Sequence, residues 1–175
     1  QGGGQYFYLN NYLDIEYSKP TLMEKTIANK IKENIITNSF KKGDISDLIG
    51  LGIGLTPSGD DFLTGYLFTM LLFKDDYAQK VYKLIKRELN NLEFSTTDVS
   101  KAMLNNLLKG KVRDKLIKFI RSLNKNKQNF VYQFNRLLTI GSSSGMDMAV
   151  GVITAYREIL SNQEMEEEHV FQNNN

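Results

Sequence analysis

Leu48-Ile49-Gly50-Leu51-Gly52-Ile53-Gly54-Leu55-Thr56-Pro57-Ser58-Gly59-Asp60-Asp61-Phe62-Leu63-Thr64-Gly65 sets a glycine-rich loop directly against the most apolar run of the chain. Glycine reaches backbone angles with positive φ and puts no side chain between the main chain and whatever lies beside it. Pro57 followed by Ser58 reads as a helix start, and Ser58 with Asp61 fits the [ST]-x-x-[DE] form of a capping box. A helix N-terminus carries roughly half a positive charge and several open N–H donors, the equipment used to bind phosphate or carboxylate groups.

The stretch has an echo. Ser58-Gly59-Asp60-Asp61-Phe62-Leu63-Thr64-Gly65 aligns with Ser144-Gly145-Met146-Asp147-Met148-Ala149-Val150-Gly151, so S-G-x-D-x-x-x-G occurs twice, each time opening a helix after a glycine-containing loop. Gly65 and Gly151 fall about two turns into their helices, where Gly costs roughly 1 kcal/mol against Ala unless something requires it. A close crossing of the two helices would require it, and would bring the two Ser-Gly starts together with Asp61 and Asp147. Two ordinary capping boxes at a helix contact would produce the same letters without any chemistry.

Outward from this pair the pattern is helical. Apolar residues at spacings of three and four predict helices over 58–73, 76–90, 97–109, 112–123, 128–139 and 144–160, with Gly110 placed to end the third. Leu22, Met23, Ile27, Ile31 and Ile35 form an earlier amphipathic stripe, and Asp44–Ile49 a short turn of helix before Gly50. Residues 6–17, aromatic and broken by Asn10 and Asn11, suit one or two short strands. The expected fold is mainly α, a single-domain helical bundle with a small N-terminal β element. Residues 1–19 read as the β remnant of an upstream region, 20–160 as the helical domain, and 161–175, rich in Glu and Asn, as a disordered polar tail.

Composition narrows the chemistry. In 175 residues, 22 Lys and Arg stand against 20 Asp and Glu, a net charge of +2 that gives no general reason to expect nucleic acid or a membrane surface as partner. With no cysteine, disulfides, thiolate nucleophiles and zinc-thiolate sites are excluded, and the single His169 in the polar tail argues against a serine-histidine hydrolase. The longest apolar stretch, Phe62 to Phe73, is interrupted by Thr64, Gly65 and Thr69 and falls short of the roughly 20 residues a spanning helix needs. The front of the chain lacks signal-peptide features, and the absence of an initiating Met suggests the C-terminal piece of a longer, cytoplasmic protein. The basic run from Lys109 to Lys127 reads as the solvated face of an amphipathic helix.

Carboxylates at Asp60 and Asp61 oppose an anion at the same helix start. Either they are caps pointing away, or a divalent cation such as Mg²⁺, held by Asp61 and Asp147, stands between them and the ligand. Thr97, in the polar start Ser95-Thr96-Thr97-Asp98, could converge on the same place, with an ordinary N-cap as its plain reading.

Taken together, Gly50 to Leu63, Thr97 to Leu104 and Gly141 to Met148, in this order and spacing, resemble the AllH-type family over residues 20–160, the C-terminal part of its members. Departures are Ile53, where Pro is expected, and Ser142, where His is frequent. The resemblance implies a subunit of oxamate carbamoyltransferase in purine or allantoin catabolism. It further implies partner subunits including a synthetase-like protein, and carbamoyl phosphate, oxamate or phosphate as the small anionic substrate. In that reading Gly52, Gly54 and Gly59 supply backbone donors, Thr56, Ser58, Ser143 and Ser144 supply hydroxyls, and Asp61 or Asp147 holds a metal or orients substrate. Asp60, Thr97 and Gly145 complete the expected substrate-binding set, and no catalytic residue is assigned. The alternative is a non-catalytic assembly subunit whose glycines serve packing and docking.

Overall fold

The computed structural model describes residues 45–46, 48–91, 95–123 and 125–174. Among them stand six helices and no strand, helix taking 74% of the described residues: α1 (Ser58–Leu72), α2 (Asp76–Asn91), α3 (Asp98–Leu108), α4 (Asp114–Ser122), α5 (Lys127–Leu137) and α6 (Ser144–Asn173). The mainly α reading holds. The expected β element in residues 1–19 and the helix over Leu22–Ile35 lie outside the described residues.

At the centre is α1, buried without interruption from Gly59 to Met70 because it has no polar stripe to offer water. Its two internal hydroxyls are satisfied within the helix, Thr64 donating to the Asp60 carbonyl at 2.8 Å and Thr69 to the Gly65 carbonyl at 2.7 Å. The first half of α6 packs against α1 more extensively than any other pair of elements does. Around this crossed pair the amphipathic helices turn one apolar face inward: Val81, Ile85 and Leu89 from α2, Leu104 and Leu107 from α3. Phe119, Phe130 and Phe134 form an aromatic cluster joining α4 to α5, with ring centroids 5.4 to 6.4 Å apart.

Two boundaries differ from the sequence pattern. α4 begins at Asp114 rather than 112, so Lys111, Val112 and Arg113 form a link after Gly110, whose φ is 73°. α6 runs on to Asn173, past the boundary near Leu160 that the apolar spacing predicts. No Gly or Pro interrupts those residues, Asn162 bonds Glu166 one turn on at 3.1 Å, and Gln163 reaches Asp75 at 3.1 Å. No helix among the described residues is long and apolar enough to cross a membrane.

Candidate functional site

The two Ser-Gly stretches are corners of the same design. In the first, the Leu51 N–H donates to the Leu48 carbonyl at 3.1 Å and the Gly59 N–H to the Leu51 carbonyl at 2.8 Å. In the second, Ile140 donates to Leu137 at 3.0 Å and Gly145 to Ile140 at 3.0 Å. A Cβ on Gly59 would drive into the Leu48 carbonyl oxygen, and one on Gly145 into that of Leu137. The repeat therefore reaches back beyond Ser-Gly to L-x-x-[LI]-G. Five residues separate Gly52 from Ser58 and two separate Gly141 from Ser144, which hides the extension from a gapless alignment.

The helices cross where the repeat places its later glycines. A Cβ on Gly65 would strike the carbonyl oxygen of Met148, and one on Gly151 that of Phe62. Phe62 and Met148 hold the same place in the repeat, so the contact is reciprocal and the corners are related by a local pseudo-twofold. Backbone meets backbone at the crossing, and any side chain would hold the helices apart.

That crossing brings the corners together at their tips. Thr56 Oγ1 lies 2.9 Å from Ser144 Oγ, a hydrogen bond between residues 88 apart in the chain. Thr56, Ser58 and Ser144 are half-buried, and Ser143 is exposed. Gly52, with φ at 124°, lies so near the helix start of its own corner that a Cβ there would stand 2.7 Å from the Ser58 nitrogen. Gly54, with φ at 94°, is exposed with open space around it.

The capping-box expectation is corrected. Ser58 and Ser144 are the first residues of their helices, the cap positions belong to Pro57 and Ser143, and neither helix has a side-chain cap bond. Of the backbone donors assigned by resemblance, Gly59 is engaged by Leu51, as Gly145 is by Ile140. Among the described residues the Ser58 N–H has no acceptor, as expected of the first N–H of a helix.

The four polar residues beneath the corners have separate roles. Asp60 is wholly buried and fully engaged, Oδ1 accepting from the Gly50 N–H at 2.9 Å and Oδ2 from the hydroxyls of Thr96, at 2.6 Å, and Ser100. It ties the loop to the start of α3. Thr97 belongs to the same clamp: its hydroxyl caps α3 by accepting from the Ser100 N–H at 3.1 Å and donates to the Leu55 carbonyl.

Asp61 differs. Its relative exposure is 0%, and neither Oδ1 nor Oδ2 is in hydrogen-bonding geometry with any donor among the described residues. Burial is the main force raising its carboxyl to about 7; Ser144 and Thr56 pull the other way, and the charges of Asp147 and Asp60 add to the rise. The two hydroxyls also bond each other, and whichever accepts in that pair keeps its own proton to turn toward Asp61. Asp147, 4% exposed, is its counterpart in the second corner.

Beside the paired corners runs a cavity of about 400 Å³, with Thr56, Thr64 and Met148 on one wall and Lys111, Arg113 and Met103 on the other. Its size is that of a small-ligand pocket. Lys111 and Arg113 are the residues that sequence reasoning missed as a site, having been counted in a helix face. The signal was Gly110: a left-handed glycine ends one helix and leaves the next residues in a link. Among the described residues no group of three or more His, Cys, Asp or Glu could hold a metal ion.

Residues 48–156, a span that takes in both corners and the helices between them, match the model of a family described as oxamate carbamoyltransferase subunit AllH. No solved structure matches the chain.

Proposed function

Because this chain belongs to the AllH family of oxamate carbamoyltransferase subunits, we propose that it binds a small anionic substrate of carbamoyl transfer in the cavity beside the paired corners. As a subunit of such an enzyme it works with other subunits; a synthetase-like protein among them, and a place in allantoin degradation, belong to this proposal. Oxamate, carbamoyl phosphate and phosphate share one recognition problem: a compact anion bearing several acceptor oxygens. Lys111 and Arg113 offer charge on one side of the cavity, the Arg guanidinium being suited to bidentate contact with carboxylate or phosphate. The hydroxyls of Thr56 and Thr64, also in the lining, supply neutral polar groups.

In carbamoyl transfer the oxamate nitrogen attacks the carbamoyl carbon, charge gathers on the carbamoyl oxygen, and phosphate leaves. Fixed donors aimed at that oxygen lower the barrier. The Ser58 N–H and the Thr56 and Ser144 hydroxyls are the groups of this chain that can do so. One observation carries the reading: a cavity of ligand size is lined both by Thr56, whose hydroxyl bonds that of Ser144, and by two cationic side chains.

The assembly-subunit reading has an observation in its favour too, since Gly59, Gly65, Gly145 and Gly151 are all explained by backbone packing. Packing alone does not explain Asp61, a carboxyl buried beside the Thr56 and Ser144 hydroxyls and the like charge of Asp147. Calorimetric titration with oxamate and with carbamoyl phosphate separates the two readings. Binding that is lost in Arg113→Ala and in the double variant Ser58→Ala/Ser144→Ala, with folding intact, supports the substrate site; a folded chain that binds neither compound, alone or with its partner subunits, leaves the assembly role.

A further inference from the structure

We infer that the end of α6 beyond Leu160 docks, head to tail, on a second copy of this chain, at the cavity lined by Lys111 and Arg113. The inference stands apart from the substrate proposal and shares with it only those two cations.

From Ser161 to Asn173 every residue of α6 except Asn162 is exposed, and Gln163, bonded to Asp75, ties this overhang to the fold at its root. Helices draw most of their stability from packing one face. The overhang sets Glu164, Glu166, Glu167 and Glu168 toward the negative end of the helix dipole, with no basic residue in the last turn, so a cationic partner would stabilise it. Its Met165, Val170 and Phe171 are 63%, 60% and 75% exposed. Val170 and Phe171 share an open cavity of about 800 Å³ with Asp75, Glu166 and Glu167, and its lining holds no Lys or Arg.

The cavity of about 400 Å³ has the opposite character. Its only charged lining residues are Lys111 and Arg113, both exposed, and its walls include Val99, Met103, Val112 and Leu116. A small anion would meet the two cations and leave these apolar walls unused, whereas apolar side chains flanked by carboxylates would use both. Charge selects the occupant. Residues 109–127 carry eight Lys and Arg against one Asp, and residues 161–173 carry four Glu and no Lys or Arg, so the two regions attract across copies. The chain's own stretch 19–42, with six Lys against two Glu, has the wrong sign for this cavity. Nor can one copy fold its own end back: Phe171 lies on the same helix as Met148 of the cavity wall, roughly 35 Å further on at about 1.5 Å per residue. Each copy therefore gives one end and receives another, a heterologous contact that builds a ring or an open chain.

The test is sedimentation of the full chain. Wild type should associate at low salt, and salt of about 1 M, where the screening length falls to roughly 3 Å, should weaken that association by more than about tenfold. An end variant, Glu166→Gln/Glu167→Gln/Phe171→Ser, and a receiver variant, Lys111→Gln/Arg113→Gln, each checked for helix content, should each be monomeric alone. Mixed, one supplies an intact receiver and the other an intact end, so they should form a one-to-one dimer and nothing larger. A wild type that stays monomeric at millimolar concentration, or assembles only with other subunits, overturns the inference. So does association that neither salt nor either variant weakens, or a mixture no heavier than its parts. Oxamate binding by the end variant, whose cavity is untouched, bears on the substrate proposal alone. In a wild type that binds oxamate, the compound should loosen self-association by competing for Lys111 and Arg113, and association that it leaves unchanged would overturn the docking contact.

Discussion

The two corners share a skeleton and differ in everything added to it. Both lean a glycine on a leucine carbonyl, both open an uncapped helix, and both place an aspartate one turn in and a glycine one turn further. Only the first carries extra loop residues, which deliver Thr56 to Ser144 and leave Ile53 and Leu55 exposed at 93% and 73%. Only the first has Asp60, clamped to α3; Met146 stands in that place in the second. The common parts build the crossing, and the unequal parts set hydroxyls, an outer loop and a neighbouring cavity on one side of it.

The sharpest way to break the comparison is to fill the crossing. Gly65→Ala and Gly151→Ala should each destabilise the fold by about 3 kcal/mol or more, because the new methyl meets main chain that cannot move aside. In an exposed helix the same change would stabilise by up to about 1 kcal/mol, so the sign alone is diagnostic in urea unfolding. Similar losses at both positions would uphold the pseudo-twofold, and a loss at one alone would break it.

Asp60→Ala should cost about 2 kcal/mol by leaving the Gly50 N–H and two hydroxyls without their acceptor. Hydrogen exchange should then quicken around the first corner and α3 and stay unchanged at the second. A uniform loss of protection would show that the corners are not separable.

Acidity probes the floor they share. In metal-free protein the Asp61 carboxyl holds its proton up to about 7, against 3.8 in the unfolded chain. Between those values the folded state binds the extra proton, so stability falls as pH rises through the window and is lowest above it. The melting temperature should drop by several degrees from pH 5 to pH 8, and Asp61→Asn should flatten the slope. An unchanged slope in that variant would place the titrating group elsewhere.

The smallest effect is expected at Ser58. It does not cap its helix, so replacing it with Ala should cost under about 0.5 kcal/mol, less than the roughly 1 kcal/mol of a true cap, whereas Ser144→Ala also loses the bond to Thr56 and should cost about 1 kcal/mol. A larger loss at Ser58 in thermal melts would restore the capping reading.

Local pattern made much of this legible. Periodicity located all six helices, and the repeated S-G-x-D-x-x-x-G foretold the crossing, because a mid-helix glycine needs a reason that only a neighbour can supply. What stayed hidden depends on partners far away in the chain. Asp60 looks like part of an acidic helix start until Thr96 and Ser100 fold over it, and Lys111 and Arg113 look like a solvated face until Gly110 takes them out of the helix. The capping box failed for a local reason: Pro57 took the cap position and moved Ser58 one place inward.

Where Phe62 and Met148 carbonyls rest on bare α-carbons, the gauge of the whole arrangement is cut in main chain. Side chains elsewhere in the interior can be exchanged for others of similar bulk and settle into new rotamers without widening that gauge. A catalytic partner docking on this subunit would thus meet hydroxyls and carboxyls at a spacing fixed in advance, whatever drift the surrounding hydrocarbon had undergone.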